Sequence, residues 1–180
     1  MRRVVITGLG IIGPLGTGVK PFWENIKVGK SGIDSITRFD TAGLSCKVAG
    51  EVKNYNGEDF FDKRTCQRTA LFSQFAMIAA QEAWKDAGLD VFTFADVDRC
   101  GIILGNGIGG LEIDDEAHIK LYSKGASKIP AMTVPRMIAN EAAGNVSMFL
   151  GIKGSAHTIV TACASGTDAA GFAFDRIRCG

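Results

Sequence analysis

The run Thr161-Ala-Cys-Ala-Ser-Gly166 seats one thiol, Cys163, among residues small enough to let a substrate carbonyl come close. Ahead of it, the β-branched stretch His157 to Val160 predicts a buried strand. Behind it, Thr167 to Arg178 has the spacing of a helix. A thiol at such a strand-to-helix turn stands at the positive end of the helix. That position favours thiolate over thiol and predicts a pKa below the free value of about 8.5. Backbone N–H groups at the turn, that of Cys163 among them, are placed to hold an oxyanion. The chemistry predicted is attack on an activated carbonyl, with a covalent intermediate on sulfur. A buried structural cysteine is the other reading of the same pattern.

Two further segments imitate a phosphate-binding loop. Gly8-Leu-Gly10-Ile-Ile-Gly13 and Gly105-Asn-Gly107-Ile-Gly-Gly110 both fit GxGxxG, and each follows a predicted strand. In a dinucleotide fold a helix opens at once after the third glycine, and an acid closes a second strand about 20 residues on. Pro14, Gly16 and Gly18 break up any helix after the first match, and Asp34 lies in Lys30-Ser-Gly-Ile-Asp34, which is no strand. The second match runs into Glu112, Asp114 and Asp115, which repel phosphate. Both are therefore read as glycine turns that let backbones pack closely.

Charge and composition exclude other classes. The chain has 180 residues, 20 Lys and Arg against 19 Asp and Glu, and a net charge of +1. A nucleic-acid or membrane-surface protein carries a strong basic excess, which is missing. No apolar run approaches the roughly 20 residues of a membrane span. Met1-Arg-Arg leads straight into a short strand and glycines, so no signal peptide is expected. Cys46, Cys66, Cys100, Cys163 and Cys179 are scattered without CxxC spacing, which fits reduced thiols and a cytoplasmic location. His118 and His157 pair with no cysteine at ligand spacing, so no metal is expected.

Strands and helices alternate around these residues. Arg3 to Thr7 predicts a short buried strand, and Pro21 to Val28 a helix ended by Gly29. A strand is expected within Cys46 to Val52. Thr65 to Ala87 is the clearest helix, with Leu71, Phe72, Phe75, Ile78, Ala79, Ala83 and Trp84 apolar and Gly88 at C′. Gly101 to Leu104 predicts a second buried strand. Glu112 to Tyr122 and Pro135 to Leu150 predict helices, with Pro135 in a first turn. The alternation, with 46% hydrophobic residues, predicts an α/β layered fold.

Taken in order, several pieces resemble the β-ketoacyl-acyl carrier protein synthases. They are Val4-Val-Ile-Thr-Gly-Leu-Gly10 with Pro14-Leu-Gly16, Gly29-Lys-Ser-Gly-Ile33, Arg38-Phe-Asp40 and Asp86-Ala-Gly-Leu89. Gly105-Asn-Gly-Ile-Gly-Gly110, Asn140-Glu-Ala-Ala-Gly144 and Thr161-Ala-Cys-Ala-Ser-Gly166 complete the set, which runs the length of the chain. The Gly-Ile-Gly-Gly turn is more similar to the type II enzymes than to type I. The resemblance implies a thiolase-like fold, two similar halves packed as α-β-α-β-α layers. Residues 1–180 then form the N-terminal half-domain. The family's second half, with its two catalytic histidines, supporting lysine and GFGG oxyanion loop, is absent from this chain. Neither His118 nor His157 occupies those motif positions.

The implied reaction is a decarboxylative condensation in fatty acid biosynthesis. Cys163 would be the nucleophile, and thioester exchange onto it is nearly energy-neutral. The resemblance also places Ile108, Met132, Thr133 and Ala162 at the acyl pocket, and Arg68 and Lys128 at a patch that docks acyl carrier protein. It implies a homodimer joined through the strand before Cys163. No cofactor is expected beyond the phosphopantetheine arm of the carrier. Five departures from the family pattern stand out: Met132-Thr133 for aromatic residues, Gly13 for Ser or Thr, Asn106 for Ser or Thr, Thr69-Ala70 for Met-Asp, and Asp168 for His or Asn. Two alternatives remain. A non-catalytic partner subunit typically lacks the cysteine, and a thiolase-type enzyme using coenzyme A thioesters has a different cysteine context.

Overall fold

The computed structural model describes residues 2–89 and 96–180. β1 (Ile12–Gly13) and β2 (Gly16–Thr17) pair antiparallel and lead into α1 (Val19–Lys27). β3 (Ile33–Ser35) pairs antiparallel with β4 (Val48–Gly50), the strand expected within Cys46 to Val52. α2 (Lys63–Arg68) and α3 (Leu71–Asp86) follow. β5 (Ile102–Gly105), α4 (Leu111–Lys124), α5 (Thr133–Met137), α6 (Glu141–Leu150), β6 (Ala156–Ile159) and α7 (Ser165–Cys179) complete the order. β5 and β6 pair in parallel, with Ile102 opposite Ala156 and Gly105 opposite Ile159. Parallel strands need a long crossover, and the α4–α6 stretch supplies it. α6 packs on α3 and on the β5–β6 pair, and α7 packs on the same pair.

The core lies where α3 meets α6. Met77, Val146, Leu150 and Ile152 are buried together, with Phe61, Trp84, Ile102 and Phe149 packed against them. Each fully buried aliphatic side chain contributes about 1.5–3 kcal/mol. A polar tie sits beside this core. Asn145 Nδ2 donates to Ser73 Oγ and to Glu141 Oε1, both at 3.0 Å, and Ala70 N donates to the same Glu141 oxygen at 3.2 Å.

Two predicted helices are each split in two. Thr65 to Ala87 breaks at Thr69 and Ala70, both extended. Gln74 Nε2 takes up the freed carbonyls of Cys66 and Thr69, at 3.2 and 3.1 Å. Pro135 to Leu150 breaks between Met137 and Glu141, where Met137 O accepts from Gly110 N and Ala139 O accepts from Asn106 Nδ2, both at 2.9 Å. Tertiary hydrogen bonds thus replace helical ones at both breaks.

No strand forms over Arg3 to Thr7, because a strand exists by pairing and this stretch has no ladder partner among the described residues. Val5 and Ile6 are 61% and 83% exposed, so the expectation of burial fails with it. The glycines that follow lie on α3. A Cβ at Gly8 would strike the Ala83 carbonyl, and one at Gly10 the Ala79 carbonyl. Leu9 N donates to Asp86 Oδ2 at 2.9 Å, while Ile11 N and Val19 N donate to the two Glu82 oxygens at 2.9 and 2.7 Å. Carboxylates of α3 therefore occupy these N–H groups, and the glycines serve close packing.

Candidate active site

β6 ends at Ile159, and a single 3-10 turn, Ala162–Ala164, joins it to α7. The helix opens at Ser165, two residues earlier than the expected Thr167. β6 is half-buried only toward its C-terminal end, and Val160 is exposed, so the expected buried strand is corrected to a partly open one. β5 is its single ladder partner among the described residues. Cys163 is a free, exposed thiol. That exposure removes the reading of a buried structural cysteine.

The turn is strained in one place and braced around it. Ala162 has φ +51°, a left-handed conformation shared by only one other non-glycine among the described residues, Asn54. For an L-residue that conformation costs about 1–2 kcal/mol and persists where the surroundings enforce it. The buried Ser165 supplies the enforcement. Its Oγ accepts from Thr161 N at 2.9 Å and donates to Ala162 O at 2.7 Å. Thr161 Oγ1 donates to Asp168 Oδ2 at 2.6 Å, tying the loop to the first turn of α7. Asp168 is thus held at the loop that presents Cys163.

The C-terminal end of β5 lies directly beneath. A side chain at Gly105 would strike the Ser165 backbone, and a Cβ at Gly107 would stand 3.4 Å from Ala162 O. The turn from Asn106 to Gly110 is pressed on its other side against α5 and the segment after it. Gly109, with φ +95°, leaves no room for a Cβ beside Met137 O, and a Cβ at Gly110 would come within 2.7 Å of Arg136 O. Both GxGxxG runs therefore serve close backbone approach, as expected.

The structure brings some of the expected site residues together. Ala162 precedes Cys163 and faces the turn that carries Ile108, itself 71% exposed. Met132 is exposed at the start of α5. Thr133 is buried, its Oγ1 donating to Pro130 O at 2.7 Å. Arg68, the last residue of α2, and Lys128, in the 3-10 turn after α4, are exposed, and neither forms an ion pair among the described residues. His118 bonds back to Asp114 O within α4, and His157 sits on β6 opposite Ile103. Among the described residues no group of three His, Cys, Asp or Glu side chains is placed to hold a metal.

Three residues have hydrogen-bonding roles that the sequence did not disclose, Asn106 among them although its amide is noted above as a departure from the family pattern. Ser165 carried a usable signal, as a hydroxyl residue opening a helix. Glu82 and Asn106 carried none, because each acts across long stretches of chain. Glu141, the first residue of α6, is an acid perturbed by burial. Burial pushes it up to about 7, against the opposing pull of its bonds to Ala70 N and Asn145 and of the Arg136 charge.

The family description "Beta-ketoacyl synthase, N-terminal domain" matches residues 1–180. The chain belongs to the β-ketoacyl synthase family. It is 46% identical over 179 residues to 3-oxoacyl-[acyl-carrier-protein] synthase 2 of Staphylococcus aureus (strain COL). That match takes in 99% of this chain and 43% of the relative, so the chain spans less than half the relative's length. The ishigamide ketosynthase/chain length factor superposes with a TM-score of 0.90 at 30% identity, over 99% of this chain and 45% of that one. A type II polyketide synthase acyl carrier protein complexed with its ketosynthase bound to the hexaketide superposes at 0.81. There the identity is 22%, over 100% of this chain and 48% of the other, a likeness of fold. The expected α/β, thiolase-like N-terminal half is the fold these ketosynthases share with the chain. Among the described residues no helix is long and apolar enough to cross a membrane.

Proposed function

We propose that this chain supplies the acyl-accepting nucleophile of a β-ketoacyl-[acyl carrier protein] synthase of fatty acid biosynthesis. The carrying observation is Cys163, exposed on a strained turn that Ser165 and Asp168 brace, in a chain 46% identical to a 3-oxoacyl-[acyl-carrier-protein] synthase 2. The Cys163 thiolate attacks the carbonyl of an acyl thioester. A new C–S bond forms, the old one breaks, and the carrier's phosphopantetheine thiol leaves with the proton that Cys163 gave up. In the condensing step malonyl carrier loses carbon dioxide, and its α-carbon attacks the acyl-cysteine. The carbon–carbon bond forms as the C–S bond breaks, and Cys163 returns as thiolate.

The histidines that stabilise the malonyl-derived enolate belong, in this reading, to a C-terminal half that residues 1–180 do not include. Residues 1–180 by themselves are expected not to condense, and at most to accept an acyl group slowly at Cys163. Ile108 and Ala162 line the acyl pocket, Met132 and Thr133 stand near the acyl pocket of the partner protomer, and Arg68 and Lys128 meet the acidic carrier. The working enzyme is a cytoplasmic homodimer that needs no cofactor of its own. The relative's name supports the carrier as substrate, and so does the carrier complex among the fold's likenesses. The cysteine argues against a non-catalytic partner subunit, and the Thr-Ala-Cys-Ala-Ser-Gly context argues against a coenzyme A-dependent thiolase.

Competitive alkylation tests the assignment. Burial raises the pKa of Cys66 and Cys100, so both react slowly, and Cys46 and Cys179 are the exposed comparators. Iodoacetamide is expected to label Cys163 ahead of all four. Incubation with an acyl thioester is expected to place the acyl mass on the Cys163 peptide and nowhere in Cys163→Ala. Equal labelling of Cys46, Cys163 and Cys179, or acyl mass elsewhere, overturns the reading.

A further inference from the structure

Asn106 spends both ends of its amide and its backbone N–H on fixing one turn. Its N–H donates to Ile159 O at 3.0 Å, carrying the β5–β6 ladder past Gly105. Its Oδ1 accepts from Gly109 N at 3.1 Å and from Ile108 N at 3.3 Å. Its Nδ2 donates to Ala139 O at 2.9 Å. Ala139 stands just ahead of α6, whose N-terminal end is held to α3 through Glu141 and Asn145. The turn carrying Ile108 is thereby referenced to the core. Its opposite side meets the turn of Cys163, with Gly107 against Ala162 O.

We propose that Asn106 is a positioning residue for acylation, a staple that holds the Ile108 turn at fixed spacing between the Cys163 turn and the Met137–Ala139 segment. The inference rests on the reading of Cys163 as acyl acceptor. It also gives a physical meaning to one departure from the family pattern, the amide at position 106. A serine or threonine hydroxyl has one oxygen and cannot accept at Gly109 N and donate at Ala139 O from two separate atoms. With the amide in place the backbone of the Ile108 turn is tied both to itself and to Ala139 O. An entering chain then has only the Ile108 side chain to displace, and long chains are disfavoured against short ones.

Asn106→Asp is the informative change. It keeps the shape and the acceptor for Gly109 N but sets an oxygen against Ala139 O. In the intact synthase, transfer to Cys163 is measured from butyryl and dodecanoyl pantetheine thioesters, with amide hydrogen exchange alongside. The expected result is a rise of about tenfold in the dodecanoyl-to-butyryl ratio of kcat/KM, the scale on which pocket contacts discriminate chain length. Exchange at Gly109 and Gly110 should quicken while α3 stays protected and iodoacetamide labelling of Cys163 stays unchanged. If the aspartate variant does not fold, Asn106→Thr makes the same comparison, with a smaller rise expected. An unchanged ratio in a folded variant overturns the staple and leaves the function standing. A wild-type enzyme that takes no acyl group at Cys163 overturns both.

Discussion

Ser165 closes the nucleophile turn onto Thr161, its Oγ accepting the Thr161 N–H at 2.9 Å while its own proton goes to the Ala162 carbonyl at 2.7 Å. The serine is buried, so no water replaces it readily. Ser165→Ala leaves the Thr161 N–H unpaired, while the Ala162 carbonyl keeps the Ser165 backbone N–H, and it removes the side-chain brace on Ala162 at φ +51°. The expected cost is about 1–3 kcal/mol in urea unfolding. Acyl transfer to Cys163 is expected to fall further than stability alone explains, because a displaced nucleophile loses rate steeply. Full acylation in a destabilised Ser165→Ala protein would separate the brace from the chemistry.

Asp168 presents the opposite balance. Its carboxylate holds Thr161 and favours the N-terminal end of α7 by about 0.3–1 kcal/mol, yet it brings negative charge to the loop of Cys163. Asp168→Asn keeps an acceptor for the Thr161 hydroxyl and removes the charge. Labelling by anionic iodoacetate is expected to rise about two- to fivefold relative to neutral iodoacetamide at low salt, and the gain should shrink as salt screens it. An unchanged ratio would show that the carboxylate faces away from the thiol.

What the sequence disclosed depended on how far each feature reaches along the chain. The seat of Cys163 was legible because strand, small-residue turn and helix lie within about twenty residues. The glycine turns were legible as packing devices because their surroundings denied them a phosphate. The helix breaks at Thr69 and at Ile138 were hidden. Periodicity runs straight through both, and it is Gln74, Glu141 and the distant Gly110 and Asn106 that hydrogen-bond the interruptions. Arg3 to Thr7 read as a strand from its apolar residues, but a strand also needs an edge to pair with, which composition does not supply. Thr69 and Ala70 differ from the family pattern at the place where the chain kinks toward α6.

Glu82 is the test of the N-terminal packing. One side chain receives Ile11 N and Val19 N, holding both ends of the β1–β2 hairpin to α3. Glu82→Ala is expected to lower stability by about 1.5–3 kcal/mol, the range for a hydrogen bond to a charged group. Glu82→Gln keeps one acceptor and should lose less. Proteolysis near Gly13 to Gly18 is expected to quicken in the alanine variant while Cys163 labelling stays the same. Equal stability of wild type and Glu82→Ala would mean that glycine packing against Ala79 and Ala83 holds the segment unaided.

Glu141 contributes a pH dependence between its ordinary value and about 7. Burial raises its folded pKa from an ordinary 4.5 to about 7, outweighing its bonds to Ala70 N and Asn145 and the Arg136 charge, while Glu112 adds a small push upward. The folded state therefore binds this proton more tightly than the unfolded chain does. Its contribution to stability is fully present below pH 4.5 and is lost as pH rises to about 7, above which it changes no further. Stability measured by urea is expected to decline across that window from this group. Glu141→Gln keeps an acceptor for Ala70 N and Asn145 and removes the buried charge, so it should flatten the slope and stabilise the protein above pH 7. Its new amide also places a donor where Oε2 now has no partner. A variant that keeps the wild-type slope would assign the pH dependence to another group, and one less stable at pH 8 would mean that the ion's attraction to Arg136 exceeds its desolvation cost.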